Sequence, residues 1–299
     1  MRLGIDLGGT KIEIIAIARD GRELLRHRVA TPRTTYEDTI IAIRDLVIET
    51  ETKLGARGSL GVAIPGAISP KTGLVKNANS TMLIGHPLDK DLEAALSRPV
   101  RVANDANCFT LSEATDGAGH GYDVVFGIIA GTGVGGGICV GGRVLNGPHA
   151  ITGEWGHNPL PAPRAEERSG FDCYCGSKDG CIESWISGPA LAAQYKRRTG
   201  RDMIATDIAK SADADARAVM EDFYDRFARS IASVVNILDP DAIVIGGGLS
   251  NIDALYSELP PRVERYAFMP EGPTKILKNV HGDSSGVRGA AWLWPEAAT

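Results

Sequence analysis

Asp6-Leu7-Gly8-Gly9-Thr10-Lys11 joins a carboxylate, two glycines, a hydroxyl and an ammonium within six residues. The glycines let backbone N–H groups approach a phosphate, Thr10 adds a hydroxyl and Lys11 a positive charge. Asp6, at the end of an apolar run that includes Gly4 and Ile5, is placed to hold Mg2+ through water. A tight hairpin that needs glycine only for its turn explains this stretch alone about equally well. A second stretch, Gly131-Thr132-Gly133-Val134-Gly135-Gly136-Gly137, has the same character and again lies between apolar runs. Two such turns at equivalent places are harder to dismiss, and together they suit the phosphoryl chain of a nucleotide. Gly246-Gly247-Gly248 follows another apolar run and offers a side-chain-free seat for adenosine. Neither turn is a Walker A loop, which requires Gly-Lys-Ser/Thr leading into a helix. The dinucleotide-binding spacing with its acidic ribose ligand is missing too.

Asn104-Asp105-Ala106-Asn107 falls where a strand pattern gives way to a helix pattern. A fixed carboxylate there can take the proton of a hydroxyl as a P–O bond forms, so Asp105 is the candidate general base. An Asp at a helix start is also a common N-cap. Glu154 and His157, in Gly153-Glu154-Trp155-Gly156-His157-Asn158, have the spacing for paired hydrogen bonds to vicinal hydroxyls. Glu183 is a third candidate of the same kind.

The five cysteines are an odd number, which argues against a disulfide framework. Cys108 and Cys139 sit in apolar surroundings and read as core residues. Cys173, Cys175 and Cys181 fall within nine residues. With His157, the nearest upstream histidine, they make a closed three-sulfur, one-nitrogen set that suits structural zinc.

Apolar runs at 2–6, 12–18 and 23–29, with Asp20-Gly21 as a hairpin turn, read as strands. A helical pattern covers 36–53. A buried-type strand at 59–64 ends in Pro65-Gly66, and a strand at 100–103 precedes a helix at 106–114. Strands at 124–130, 137–140 and 143–145, a helix at 216–238, a strand at 242–245 and a last helix after Ser285-Gly286 repeat the plan. The fold class is α/β, with two duplicated lobes and a ligand cleft between them. The first lobe takes 1–118 and is completed by 285–299; the second takes 119–284. An insertion at about 147–188 has no counterpart in the first half and carries the cysteines. The whole is of a size for two lobes of roughly 150 residues each.

Glycine makes up 36 of 299 residues, well above the usual ~7%, and its clustering between apolar runs marks turns. A net charge of −5 leaves out the electrostatic footprint of a nucleic-acid binder. The basic run Arg22, Arg26, His27, Arg28 reads as the solvent face of an edge strand. There is no membrane-spanning stretch and no signal-peptide pattern, so the expected location is cytoplasmic.

With these residues assembled, the chain resembles the ROK family (repressors, open reading frames, kinases), within the sugar kinase/actin/heat-shock ATPase superfamily. The resemblance covers nearly the whole chain. It is carried by 6–11, Ile64-Pro65-Gly66, 104–107, 131–137, 154–157, the cysteines through Glu183, and 246–248. It implies actin-like, ribonuclease H-like lobes, with ATP and Mg2+ as cofactors and a hexose as acceptor. Asp105 becomes the base, and Gly66, Asn79, Asn104, Glu154, His157 and Glu183 become sugar contacts. His157, Cys173, Cys175 and Cys181 become zinc ligands, residues 4–11 and 131–137 with Gly247 and Gly248 nucleotide contacts, and a homodimer is compatible. Lys76-Asn77-Ala78-Asn79-Ser80-Thr81, Gly156-His157-Asn158-Pro159-Leu160-Pro161 and the tail 281–294 resemble the bacterial fructokinase/mannokinase branch more narrowly. That branch implies phosphorylation of D-fructose and D-mannose at the 6-hydroxyl, with glucose and N-acetylglucosamine as rival acceptors. The chain departs from the family in having three residues, Ser177, Lys178 and Asp179, where two are usual, which lengthens the zinc loop at a tolerant tip. A regulator of the same family would carry an added N-terminal DNA-binding domain. The glycine turn that begins at Asp6 leaves no room for one, and the extra subdomains of filament or chaperone ATPases are missing as well.

Overall fold

The computed structural model describes residues 1–78, 80–168, 172–173, 175–176, 180–268, 271–282 and 285–295. The chain divides into two compact units. One is Met1–His120 with Gly142–Thr152 and Asp283–Thr299; the other is Gly121–Gly141 with Gly153–Gly282. The segment Gly142–Thr152 thus groups with the first unit, whereas the sequence reading placed it in the second lobe.

The first unit begins with an antiparallel meander of β1 (Arg2–Leu7), β2 (Lys11–Ile17) and β3 (Glu23–Ala30). Helix α1 (Tyr36–Leu54) follows, then β4 (Ser59–Ile64), the small hairpin β5 (Ala67–Ile68) and β6 (Val75–Lys76), α2 (Leu88–Leu96), β7 (Val100–Asn104) and α3 (Asp105–Asp116). The sheet order is β3-β2-β1-β4-β7, with β4 parallel to both β1 and β7. Leu3, Ile5, Ile12, Ile14, Leu60 and Val62 are fully buried, which is why these strands read as apolar runs. Local signals bound α1. The Thr35 side chain accepts the Asp38 N–H at its start, and Gly55 closes it in the left-handed region at φ 63°. As expected, the basic run reaches an edge strand: Arg26, His27 and Arg28 lie on β3 and Arg22 just before it. Two of its residues also neutralise the buried Glu13, with Arg28 Nε at 2.5 Å and Arg26 at 3.6 Å from its carboxylate.

The second unit repeats the pattern. In it β8 (Val124–Ala130) pairs antiparallel with β9 (Val134–Val140) and parallel with β11 (Ala242–Gly246), which pairs parallel with β12 (Ile276–Lys278). Strand for strand, β2, β1, β4 and β7 correspond to β9, β8, β11 and β12. Its helices are α4 (Glu183–Ile186), α5 (Gly188–Thr199), α6 (Ala205–Lys210), α7 (Ala214–Leu238) and α8 (Leu255–Tyr266). The long α7 buries Val219, Met220, Phe223, Phe227 and Ile231, a stripe at helical spacing, into this unit's core.

The short strand β10 (Arg143–Val144) and the helix α9 (Ser285–Trp292) return to the first unit. Helix α9 lies directly on backbone. A Cβ on Gly4 would sit 2.0 Å from Val287 O, one on Gly61 1.9 Å from Ala290 O, and one on Gly289 1.6 Å from Cys108 O. No side chain fits at these three crossings. No helix among the described residues is long and apolar enough to cross a membrane.

Candidate active site

In the first unit the β1–β2 turn is held by Gly8 N–H donating to Lys11 O at 3.0 Å and by the Thr31 hydroxyl donating to Gly8 O at 2.7 Å. Gly9, Thr10 and Lys11 are exposed. Among the described residues the Gly9 and Thr10 N–H groups make no hydrogen bond, so the tip presents two backbone donors and an ammonium. An anion is the natural partner for such a tip. Within residues 4–11 the strand and the exposed tip differ in character. Ile5 and Leu7 are buried in the core, and Gly4 is a glycine because α9 crosses it. Asp6, next to last in β1, lies opposite Glu13 in the hairpin register. Burial, then the charges of Asp105 and Glu13, push its carboxyl up from 3.8 to about 6 against the opposing pull of Lys11 and Arg28. Sequence reasoning missed Glu13. Counting outward from the turn pairs it with Asp6, and that signal was available.

Asp105 opens α3, but the N-cap is Asn104. The Asn104 side-chain oxygen accepts the Ala106 and Asn107 N–H groups at 2.9 and 3.3 Å, and its amide donates to Gly66 O at 3.1 Å. The capping role open to Asp105 therefore falls mainly to its neighbour, although one Asp105 carboxylate oxygen also accepts the Ala106 N–H at 2.8 Å. Gly66 is at φ 96°, where a Cβ would meet Lys76 O at 2.5 Å, so this turn needs glycine. Asn79 lies outside the described residues.

In the second unit only residues 131–133 form the turn between β8 and β9. Gly135 and Gly136, like Gly137, belong to β9, so the strand begins earlier than the 137–140 read from the sequence. They are small because the segment 153–157 docks on that strand. Trp155 donates its indole N–H to Gly135 O at 3.0 Å. A Cβ on Gly136 would lie 2.8 Å from the Trp155 ring, and one on Gly156 would lie 2.0 Å from Val134 O. This docking sets Glu154, which is exposed, and His157, which is half-buried, at the two ends of a single 3-10 turn. In the turn itself Gly131 N–H donates to Gly133 O at 2.9 Å. The Thr132 and Gly133 N–H groups make no hydrogen bond among the described residues. Gly247, at φ 80°, would place a Cβ 2.5 Å from Ala130 O, while Gly248 faces open space. Glu183 accepts the Val134 N–H through Oε2 at 2.8 Å.

His157, Cys173, Cys175 and Cys181 bring their ligand atoms within 4.8 Å of one another. The Cys173 Sγ–His157 Nδ1 distance is 3.5 Å and the Cys175–Cys181 Sγ separation 3.4 Å. Zn–S bonds of about 2.3 Å in a tetrahedron give ligand separations of roughly 3.7 Å, so both donor chemistry and spacing fit zinc. A bridge between Pro159 and Cys181, and the Ile182 N–H donating to Asn158 O at 2.9 Å, tie the two halves of this cluster together. Ser177, Lys178 and Asp179 of the lengthened loop lie outside the described residues.

The sequence model of the ROK family matches residues 2–297. A curated relative from Yersinia pseudotuberculosis, named N-acetyl-D-glucosamine kinase, is 42% identical over 98% of each chain. Among solved structures, a ROK hexokinase from Thermus thermophilus superposes with a TM-score of 0.85 at 30% identity, covering 97% of this chain and 96% of that one. A ROK family glucokinase from Streptomyces griseus, solved with glucose and AMPPNP, gives 0.77 at 28% identity and 97% of each chain.

Proposed function

The chain belongs to the ROK family of sugar kinases, and from that premise we propose that it transfers the γ-phosphoryl group of ATP to the 6-hydroxyl of a hexose. The observation that carries this reading is the Asp105 carboxylate at the first turn of α3, behind the Asn104 cap, in the unit whose Gly9 and Thr10 N–H groups make no hydrogen bond among the described residues. The acceptor hydroxyl gives its proton to Asp105 as its oxygen bonds to the γ-phosphorus, and the bond from that phosphorus to the β-γ bridging oxygen breaks to release ADP. In the first unit Gly9, Thr10 and Lys11 are the residues for phosphoryl oxygens; in the second, Thr132 and Gly133 are, with Gly247 and Gly248 for the nucleoside. Asp6 is the residue to hold Mg2+. When bound, that ion neutralises charge on the phosphoryl oxygens, and its pull offsets the repulsion among the carboxylates. Asn104 and Gly66 fix the acceptor side of α3, while Glu154, His157 and Glu183 receive hydroxyl groups. His157 and the three cysteines would hold zinc, which when bound would fix the His157 ring.

The relatives' names back N-acetyl-D-glucosamine as acceptor better than they back D-fructose. A second reading, D-fructose with D-mannose, keeps specific support from segments 76–81, 156–161 and 281–294. A panel of N-acetyl-D-glucosamine, fructose, mannose and glucose with Mg-ATP separates them by kcat/KM. We expect one acceptor to lead by about tenfold or more, since a site built to hydrogen-bond a group discriminates against its absence. Fructose in the lead would remove the N-acetylglucosamine assignment, and no turnover of any hexose would remove the kinase reading.

A further inference from the structure

We propose that Glu183 positions the 131–133 turn for nucleotide binding, a role separate from any contact it makes with the acceptor. The inference rests on the reading of that turn as a nucleotide contact. Val134 N–H donates to Glu183 Oε2 at 2.8 Å. A Cβ on Gly133 would lie 2.7 Å from the same oxygen, so the absence of a side chain at 133 is what lets the carboxylate reach the turn. At the other end Gly188 N–H donates to Gly131 O at 2.7 Å. One short stretch, 183–188, therefore clamps both the entry and the exit of the turn.

The clamp has a rigid base. Ile182, Trp185 and Ile186 are buried in the second unit's core, and Ser187 N–H donates to Glu183 O at 3.1 Å. Cys181 of the metal cluster immediately precedes it. A turn containing two glycines loses much conformational freedom when it orders around a ligand. A charge-assisted hydrogen bond that orders it beforehand lowers that cost. Oε1 of Glu183 makes no hydrogen bond among the described residues and stays available to the acceptor, so one carboxylate serves both roles.

The test measures AMPPNP affinity with Mg2+ and no sugar, by calorimetry on the full chain. Glu183→Ala should weaken binding by about tenfold or more. Glu183→Gln, whose side-chain carbonyl still accepts the Val134 N–H, should recover most of it. A contact with the acceptor alone would not move an affinity measured without acceptor. Gly133→Ala, which forces the turn and the carboxylate apart, should reproduce the Ala loss and serves if Glu183→Ala fails to fold. Wild-type affinity in folded Glu183→Ala, or in Gly133→Ala, overturns the proposal. Wild-type protein that binds no AMPPNP would instead remove the nucleotide reading, and this inference with it.

Discussion

Asp6 carries an electrostatic cost that its site depends on. Its carboxyl is raised from 3.8 to about 6 by burial and by neighbouring carboxylates. Below about pH 4 the group is protonated both folded and unfolded and contributes nothing. Between about 4 and 6 the unfolded chain ionises first, so the ligand-free protein loses stability as pH rises through that window, and the whole penalty stands above it. Asp6→Asn should therefore raise stability at pH 7.5 by about 1–3 kcal/mol while abolishing turnover. Thermal melts of both proteins from pH 4 to 7.5 check this, and a gap that does not widen with pH contradicts it. Residue types alone put Asp6, Asp105, Glu154, His157 and the cysteines on the page. They left open which of Asn104 and Asp105 caps α3, since both are good caps. Only the backbone path at the β7–α3 junction decides it.

At the scale of elements, strands and helices were legible wherever an apolar period met a turn signal, as in β1, β4, β8 and α7. Glycines were misread where the reason for them lies far along the chain. Gly4 looks like part of a phosphate site, yet it is required by α9, which begins at Ser285. Gly135 and Gly136 looked like loop because their docking partner, the Trp155 turn, is visible only once the chain has folded back on β9. The His157–cysteine cluster belongs to this scale too, because few side chains are buried among the described residues of 153–182 and the cluster brings distant parts of that segment together. Chelation, or Cys181→Ser, should release one zinc per chain, lower Tm by several degrees and raise KM for the sugar more than it lowers kcat. Metal analysis with thermal melts checks it, and a zinc-free wild-type protein with an unchanged Tm would contradict it.

Over the whole molecule, the repeated strand order in the two units was foreseeable because each half repeats its apolar runs and glycine turns in the same sequence. Acceptor identity was not, because a hexose is told apart by the shape of its pocket, which residue spacing does not give. The same family includes proteins named for glucose and for N-acetyl-D-glucosamine, so the fold leaves that choice to a few side chains. What the structure does place is a carboxylate, Asp105, at the first turn of α3. The most direct measurement is hexose-dependent ADP formation by wild type and Asp105→Asn at saturating Mg-ATP, with circular dichroism and AMPPNP affinity as controls. The variant should keep its fold and its nucleotide affinity, and its kcat should fall by about 10²–10⁴-fold. A folded Asp105→Asn protein that turns over hexose at the wild-type rate would contradict the account.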